Sequence, residues 1–515
     1  MSKILCLTGL CILLAANGFT QSNSGSCGTG LEENLLIKQR MMNNRIEWNG
    51  KLLPRTGATT FIPINFWLMA KDNGTGRLPL SKVLDFMCCI NESSVYKDMD
   101  LQFYINKIQF ENRSYVYDDP SSQLGEAYLR SYMLSNKNAV NIFIANVARA
   151  SDLGVLAFYT SNGDYIVAGK ANVSGDCTTL AHELGHYFSL PHTFVGWEGL
   201  DYYDITANCT KATPTVVGNG ILVEYVDRNK AGTGGKKHCE QSADGFCDTP
   251  ADYNLGYGWP ANRGCNYDSC AKDPLDVLLG PMEDNLMSYF LNCIKTFTAE
   301  QRAAILKDYL SSARNYLRRT PAYSALPAIA DQVNYISPTS TNTPVGYDEV
   351  KFDWEDVPNA THYWFELAEN TGFTLNAQFY LLTKSDTTLK NLVKNKTYHW
   401  RVFPFNSNSA CLVPKLISFK NPAWTVSAEN IVDANTKTYI VQQESLGCHW
   451  VIETQRPQEF KYQIFNLSGQ RIRQGELAVQ EGKHSISLSD LNAGAYFYSL
   501  SNSANQIHTG KFIIH

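Results

Sequence analysis

Charge and long apolar runs are both scarce in this sequence. Charged residues make up 18% of the 515 residues and the formal net charge is −5, whereas an average soluble domain has about 25% charged residues. Nucleic-acid-binding proteins carry a clear basic excess, so this balance argues against a nucleic-acid partner. After residue 21 no stretch is long and apolar enough to span a bilayer, and we therefore predict no transmembrane segment.

What is present is the composition of a folded, exported, modular protein. Aromatic residues reach 12%, which disordered chains lack, and the length exceeds what one core organises. Lys3 is followed by an apolar run from Ile4 to Ala16 and then by small residues, a pattern typical of a secretory signal peptide. We assign residues 1–21 to this signal peptide, the alternative being a core helix. Export permits the remaining cysteines to form disulfides.

The stretch AHELGHYFSLPH, residues 181–192, predicts a metal site. On a helix, His182 and His186 lie four residues apart on one face. His192 follows a proline that ends the helix and turns the chain back. Three imidazoles and one open position suit a catalytic zinc ion, and Glu183 is placed to take a proton from the activated water. The alternative is a pair of surface histidines on an ordinary helix.

This motif resembles that of the metzincin metallopeptidases, H-E-x-x-H-x-x-G-x-x-H. Within them it resembles the pappalysin family, in which Thr-Phe often follows the last histidine, as in His192-Thr193-Phe194 here. Ser189 stands where the family has glycine, so the backbone must turn there with a Cβ present. The resemblance implies an α+β catalytic domain with a mixed sheet, an active-site helix and a Met-turn, followed here by two β-sandwich domains. It also implies one catalytic Zn²⁺ and a substrate peptide added to the sheet edge.

Downstream, Asn285-Leu286-Met287-Ser288-Tyr289 matches the same family. The resemblance implies that Met287 forms the Met-turn, an apolar floor under the ligands. It implies that the Tyr289 hydroxyl stabilises the oxyanion of the tetrahedral intermediate. Without the resemblance, both side chains are interpreted as core residues.

The resemblance also concerns the disulfide pairing and a possible calcium ion. It implies disulfides Cys247–Cys270 and Cys265–Cys293, which spacing alone leaves open. Calcium occurs in the family, and Asp248 with Asp252 are the candidate ligands, although acidic loop residues are usually only solvated. The loop from Val195 to Gly245 is rich in Gly, Asn, Asp and Thr, and we expect it to shape the cleft, with a Cys209–Cys239 bridge as one option.

Residues 22–57 precede the first strand pattern and are predicted to be a propeptide. Cys27, in Cys27-Gly28-Thr29, is similar to the cysteines with which related propeptides block the zinc. Since a thiolate is a good zinc ligand, we expect Cys27 to hold the enzyme latent until cleavage. The alternative is an ordinary disulfide partner.

Periodicity and composition divide the rest of the chain. Residues 58–320 carry mixed strands and helices and form the predicted metallopeptidase domain, with strands near 61–68, 101–105, 140–144 and 165–170. A capping box starting at Thr298 opens its closing helix. A Pro-, Ser- and Thr-rich linker follows over residues 321–344. Residues 345–435 alternate as strands do, and Phe352-Asp353-Trp354-Glu355 and Thr397-Tyr398-His399-Trp400-Arg401-Val402 resemble fibronectin type III domains, with the tryptophans in the core.

Residues 441–515 also alternate as strands do. Asn466-Leu467-Ser468-Gly469-Gln470, Leu491-Asn492-Ala493-Gly494-Ala495-Tyr496 and the terminal Gly510-Lys511-Phe512-Ile513-Ile514 resemble the C-terminal sorting domain of type IX secretion. That resemblance implies passage through the periplasm and the outer membrane by the type IX machinery, with the product secreted or attached to the cell surface. A plain accessory β domain is the alternative.

Together these features predict a secreted zinc endopeptidase acting on protein or peptide substrates. One rival is a peptidase whose third ligand is a downstream glutamate, Glu198 or Glu224. A second is a surface adhesin with a vestigial metal domain, against which the intact Glu183 counts. A zinc-dependent hydrolase of another bond is a third.

Overall fold

A computed structural model describes most of the chain as two compact units, Met1–Ser324 and Ala325–His515. The described residues are 26–53, 58–173, 175–200, 202, 211–257, 265–268, 270–290, 293, 295–318, 322–341, 345, 349–422, 424–426, 430–433, 435–443, 447–502 and 506–514. The predicted signal peptide and Cys209 lie outside them. Among the described residues, no helix combines the length and hydropathy that a bilayer crossing requires.

The N-terminal unit is built on one mixed sheet. Its strands are β1 (Ser26–Cys27), β2 (Thr60–Ala70), β3 (Leu101–Asn112), β4 (Val140–Ala145), β5 (Val155–Thr160), β6 (Tyr165–Gly169), β7 (Val216–Val217) and β8 (Ile221–Leu222). The main sheet has the order β1-β5-β6-β4-β2-β3. Strands β3, β2, β4 and β6 run parallel, whereas β5 is antiparallel to β6. Strand β4 is buried throughout, as expected for a parallel strand covered on both faces.

Helices surround this sheet. They are α1 (Leu31–Glu47), α2 (Leu80–Glu92), α3 (Ser94–Lys97), α4 (Ser114–Asp118), α5 (Gln123–Ser135), α6 (Thr178–Tyr187) and α7 (Ala299–Leu310). Short 3-10 turns lie at Lys170–Asn172, Gly218–Gly220, His238–Glu240 and Ser312–Leu317. The predicted capping box is confirmed, because Thr298 and Gln301 satisfy each other's backbone N–H groups at the start of α7. The mixed α+β architecture is confirmed as well.

The segment predicted to be a propeptide is more structured than expected. Cys27 lies in β1, which pairs in parallel with β5, and the 17-residue helix α1 follows. Sequence patterns found neither β5 nor α1. Strand β5 is next to α6 in space, and β1 pairs with part of its outer edge.

The C-terminal unit contains two pairs of antiparallel sheets. Its strands are β9 (Tyr335–Ser337), β10 (Glu349–Trp354), β11 (His362–Ala368), β12 (Gln378–Leu382), β13 (Asp386–Lys390), β14 (Lys396–Phe405), β15 (Ile417–Asn421), β16 (Trp424–Val426), β17 (Asn430–Asp433), β18 (Thr436–Gln443), β19 (Gly447–Thr454), β20 (Gln458–Asn466), β21 (Arg471–Val479), β22 (Gly482–Ser487), β23 (Gly494–Asn502) and β24 (Ile507–Ile514). The first pair of sheets is β13-β10-β9 with β12-β11-β14-β15, and the second is β16-β18-β19-β22 with β21-β20-β23-β24.

Two predicted boundaries are wrong. Strand β9, inside the predicted linker, pairs with β10, and Val333 and Val345 join the same core, so most of that segment belongs to the first β-sandwich. Strands β16 and β17 pair with β18, so the second β-sandwich begins near residue 424 rather than 441. Trp354, Trp364 and Trp400 are buried, which confirms their core role.

Disulfides tie the loops of the N-terminal unit together. Cys89–Cys177 joins α2 to the residue before α6, and Cys265–Cys293 is formed. The Cys247–Cys270 pairing is wrong, as is Cys209–Cys239, because Cys247 bonds to Cys239. The chain reverses between these two cysteines at Ala243 and Gly245, which both have positive φ, and this brings their Cα atoms to 5.2 Å.

Candidate metal centre

Four metal-ligating side chains converge in the N-terminal unit. One ligand atom each from Cys27, His182, His186 and His192 lies within 4.8 Å of all the others. Within the described part of the chain this is the one group of three or more His, Cys, Asp or Glu residues so arranged. The three histidines are buried, and the Cys27 Sγ is 3.5 Å from the His186 Nε2.

The outer ring nitrogens of the histidines are held by polar partners. The His182 Nδ1 is 2.7 Å from the Leu286 carbonyl, and the His186 Nδ1 is 2.7 Å from the Leu190 carbonyl. Such bonds fix the ring orientation and leave Nε2 for a metal. The buried His182 Nε2 has no hydrogen-bond partner in the described part of the chain, which is costly unless an ion occupies the position. Three imidazoles and a thiol form a tetrahedral donor set that zinc prefers, so the residues fit the implied ion.

The turn between the second and third histidines occurs where the sequence departs from the family. Ser189 has φ 68°, a left-handed conformation that favours glycine. Its Oγ donates to the Asp308 carboxylate and accepts from the Arg40 Nε at 2.8 Å. The hydroxyl that glycine would lack therefore ties the strained turn to two charged groups.

Glu183 and Tyr289 lie beside the histidines. Glu183 is buried on α6, and its Oε2 has no partner among the described residues. Burial raises the pKa of Glu183 to about 8. The Tyr289 ring is 5.0 Å from that of His192, and its hydroxyl donates to the Cys27 carbonyl at 3.0 Å. Burial, followed by the nearby Cys27 and Glu183, raises the pKa of Tyr289.

Met287 lies under the ligand-bearing helix. It is buried, and its Sδ would be 2.5 Å from a Cβ added at Gly185. A side chain at position 185 would therefore displace Met287 or α6. The Met287 carbonyl also accepts from the Thr193 backbone N–H at 3.3 Å, which links this turn to the residue after the third histidine.

Helix α1 contributes polar contacts that sequence reasoning missed. Asn34 accepts from the His192 backbone N–H at 2.8 Å, and its Nδ2 is 3.0 Å from the His192 Nδ1. Arg40 donates to the carbonyls of His186 and Tyr187 at 3.0 and 2.8 Å. The sequence does contain a signal for α1: polar residues spaced so that they lie on one face of a helix.

The two glutamates considered as rival third ligands do not reach the four converging ligand atoms. Glu198 Oε1 is 3.5 Å from the His192 Nδ1, on the opposite side of the ring from the cluster. Burial raises the pKa of Glu198 to about 7. Glu224 forms an ion pair with Arg228 at 2.7 Å. Neither carboxylate belongs to the metal-ligating group.

The two aspartates proposed for calcium serve other contacts. The Asp248 carboxylate accepts from the Glu300 N–H at the start of α7. The Asp252 carboxylate accepts from the Thr193 hydroxyl at 2.7 Å. Calcium binding stays a prediction.

A pocket of about 90 Å³ opens beside His182 and Glu183. Its other lining residues come from β5, the start of α6 and the segments 256–257 and 286–295: Leu156, Thr178, Thr179, Gly256, Tyr257, Leu286, Ser288, Tyr289, Phe290 and Lys295, with Cys27 at the propeptide side. The loop expected to shape the cleft, Val195–Gly245, lines an adjoining cavity through Glu198, Gly199 and Leu200, and this cavity shares Cys27, Tyr257 and Tyr289 with the first pocket.

Comparison with known proteins identifies the C-terminal segment of the chain. Residues 449–515 match the family model described as a secretion system C-terminal sorting domain, so the chain carries a sorting tail of type IX secretion and is directed to export. No curated protein matches the chain.

Two solved structures resemble parts of the chain. One is a DUF3244 family protein with an immunoglobulin-like β-sandwich fold from Bacteroides vulgatus, at 13% identity and a TM-score of 0.14, covering 18% of this chain and 95% of that one. The other is the FN1–FN3 fragment of chicken CNTN1, at 10% identity and a TM-score of 0.16, covering 37% of this chain and 65% of that one. These low scores carry no argument about this chain.

Proposed function

We propose that this protein is a zinc-dependent endopeptidase exported in a latent form. The observation that carries the proposal is the convergence of three buried imidazoles and one thiol, with the Glu183 carboxylate beside them. The resemblance of residues 181–194 and 285–289 to pappalysins supports it. A zinc ion bound there would supply Lewis-acid chemistry, polarising the scissile carbonyl and lowering the pKa of a water.

The chain's own residues then have distinct roles. Glu183 accepts the proton of the attacking water and passes it to the leaving amine. The Tyr289 hydroxyl, once released from the Cys27 carbonyl, donates to the oxyanion. The edge of β5, now covered by β1, receives the extended substrate by strand addition. Met287 packs against Gly185 of α6 and supports the helix.

Latency follows from the position of the propeptide. Cys27 supplies a fourth donor where the water must otherwise enter, and β1 fills the edge that a substrate needs. Removal of residues 22–57 frees both at once.

Mapping of cut sites in a peptide library by mass spectrometry tests the proposal. The processed protein should cleave, and Glu183→Ala should retain zinc while losing cleavage by at least about a thousand-fold. His192→Ala should lose zinc, which a third ligand at Glu198 would not require. If processed protein binds zinc and cleaves no peptide, a binding protein with a vestigial metal domain is the better description.

A further inference from the structure

The pocket beside the metal centre contains one cation. Lys295 lines it, together with largely apolar and hydroxyl side chains. Among the lining residues the one carboxylate is that of Glu183, which the proposed mechanism uses on the water. A substrate side chain entering this pocket therefore meets an ammonium group that no other pocket residue neutralises.

Lys295 is held in place by two hydrogen bonds. Its Nζ donates to the Glu283 carbonyl at 3.1 Å and to the Phe290 carbonyl. An ammonium has three N–H groups, and among the described residues the third has no acceptor, so it is available to a ligand. Asp284, Asp252 and Glu283 act on the ammonium through space, but none of the three lines the pocket.

The ammonium is partly withdrawn from water, which strengthens its attraction for an anion. Burial lowers the pKa of Lys295 to about 8 despite the three acidic neighbours. The group is therefore mainly protonated at neutral pH, and a carboxylate placed beside it would recover solvation that burial has removed.

Under the proposed mechanism this pocket is on the leaving-group side of the scissile bond, because Glu183, which passes the proton to the leaving amine, is part of its wall. A second cavity shares Cys27, Tyr257 and Tyr289 with it and is not lined by Glu183. The residue that carries the leaving amine is the one directly after the cut, and its side chain is the one nearest this pocket.

We infer that Lys295 makes this enzyme select substrates with Asp or Glu directly after the scissile bond. The inference rests on the proposed peptidase function and adds its substrate class. The pocket's apolar walls contact the methylene groups of the side chain, and Lys295 contacts its carboxylate.

A matched pair of peptides tests this without altering the protein. Two otherwise identical substrates carry Glu or Gln directly after the cut, which differ in charge but not in shape. The processed wild-type protein should cleave the Glu peptide with a kcat/KM about ten-fold higher. A ratio near one, or a preference for Lys or Arg in a library, overturns the inference while leaving the peptidase proposal intact. No cleavage of any peptide overturns both.

Variants at position 295 then locate the selectivity. Lys295→Met should lose the Glu preference, so that its kcat/KM values for the Glu and Gln peptides become similar whatever its absolute activity, and retained zinc shows that it folds. Lys295→Glu should favour Lys or Arg after the cut. Lys236→Glu makes the same charge change at an exposed position outside the pocket and should keep the wild-type preference. If this control shifts the preference as much as Lys295→Glu does, net charge and not the pocket is responsible.

Peptide binding to a catalytically inactive variant provides a second readout. Processed Glu183→Gln, titrated with fluorescent peptides, should bind the Glu peptide more tightly than the Gln peptide by a similar factor. Equal affinities together with equal cleavage rates refute the assignment of Lys295.

Discussion

The turn at Ser189 sets backbone strain against hydrogen bonding. A Cβ in the left-handed region costs about 1–2 kcal/mol, which Ser189→Gly would remove. The same substitution deletes the hydroxyl, which bonds to Asp308 and to Arg40. Hydrogen bonds to charged groups contribute about 1.5–3 kcal/mol each. The lost bonds outweigh the relieved strain, so we expect Ser189→Gly to destabilise this turn by about 2 kcal/mol.

Hydrogen exchange of backbone amides in the unprocessed full-length protein measures this local stability. Peptides that cover residues 184–195 should exchange faster in Ser189→Gly, by the factor that about 2 kcal/mol predicts, which is roughly thirty-fold. Ser189→Ala is the matched control, because it loses the hydroxyl and keeps the Cβ, and should exchange faster still. A Ser189→Gly protein with slower exchange than wild type would refute the reasoning, since strain would then exceed the bonds to Asp308 and Arg40.

Three other perturbations separate the remaining interactions. Cys27→Ala in the unprocessed chain leaves β1 paired with β5 but removes the fourth donor, so it should raise cleavage of a fluorogenic peptide roughly ten-fold and stay below the processed protein. Cys448→Ala, at the other free cysteine among the described residues, should not; equal activities of the two variants would contradict the thiol switch. Glu198→Gln should weaken zinc binding about ten-fold in chelator competition, because the His192 Nδ1 loses a carboxylate partner; unchanged affinity would remove Glu198 from the site. Burial raises the pKa of Asp164, but Arg314 and Arg40 outweigh burial and hold this pKa at about 2. The ionised carboxylate therefore contributes about 2 kcal/mol to the free energy of unfolding above pH 3.8, and this contribution is lost as the pH falls towards 2. Urea midpoints measured from pH 5 to 2 should therefore fall less steeply in Asp164→Asn, and parallel curves would contradict the shift.

Local chemistry explains what could be predicted from the sequence. The spacing of His182, Glu183 and His186 depends only on helix periodicity. The predicted helix end at the proline before His192 is wrong, because the helix ends at Tyr187 and the chain turns at Ser189. Four strands of the sheet were found because their apolar residues form dense or alternating runs. The strained residue at 189 was anticipated because a known motif has glycine there.

What was missed depends on contacts distant in sequence. Helix α1 buries Asn34 and Asn44 together with Ile37 and Met41, and its half-buried Lys38 and Arg40 donate to carbonyls of the same unit, so polar residues interrupt the apolar periodicity of its inner face. The Cys239–Cys247 bond depends on a loop reversal that composition does not show. Strand β5 is short, and its role as the covered edge depends on pairing with a segment more than 120 residues earlier.

The proposed removal of residues 22–57 would give strand β5 a new property. The outward N–H and C=O groups that β1 now pairs with would lack partners, and exposed ladders of this kind are where separate chains adhere to one another. An edge that can pair with an extended peptide can equally pair with a second copy of the chain. Under this proposal β1 shields part of the edge during export, and the risk of self-association begins only after the segment has been removed.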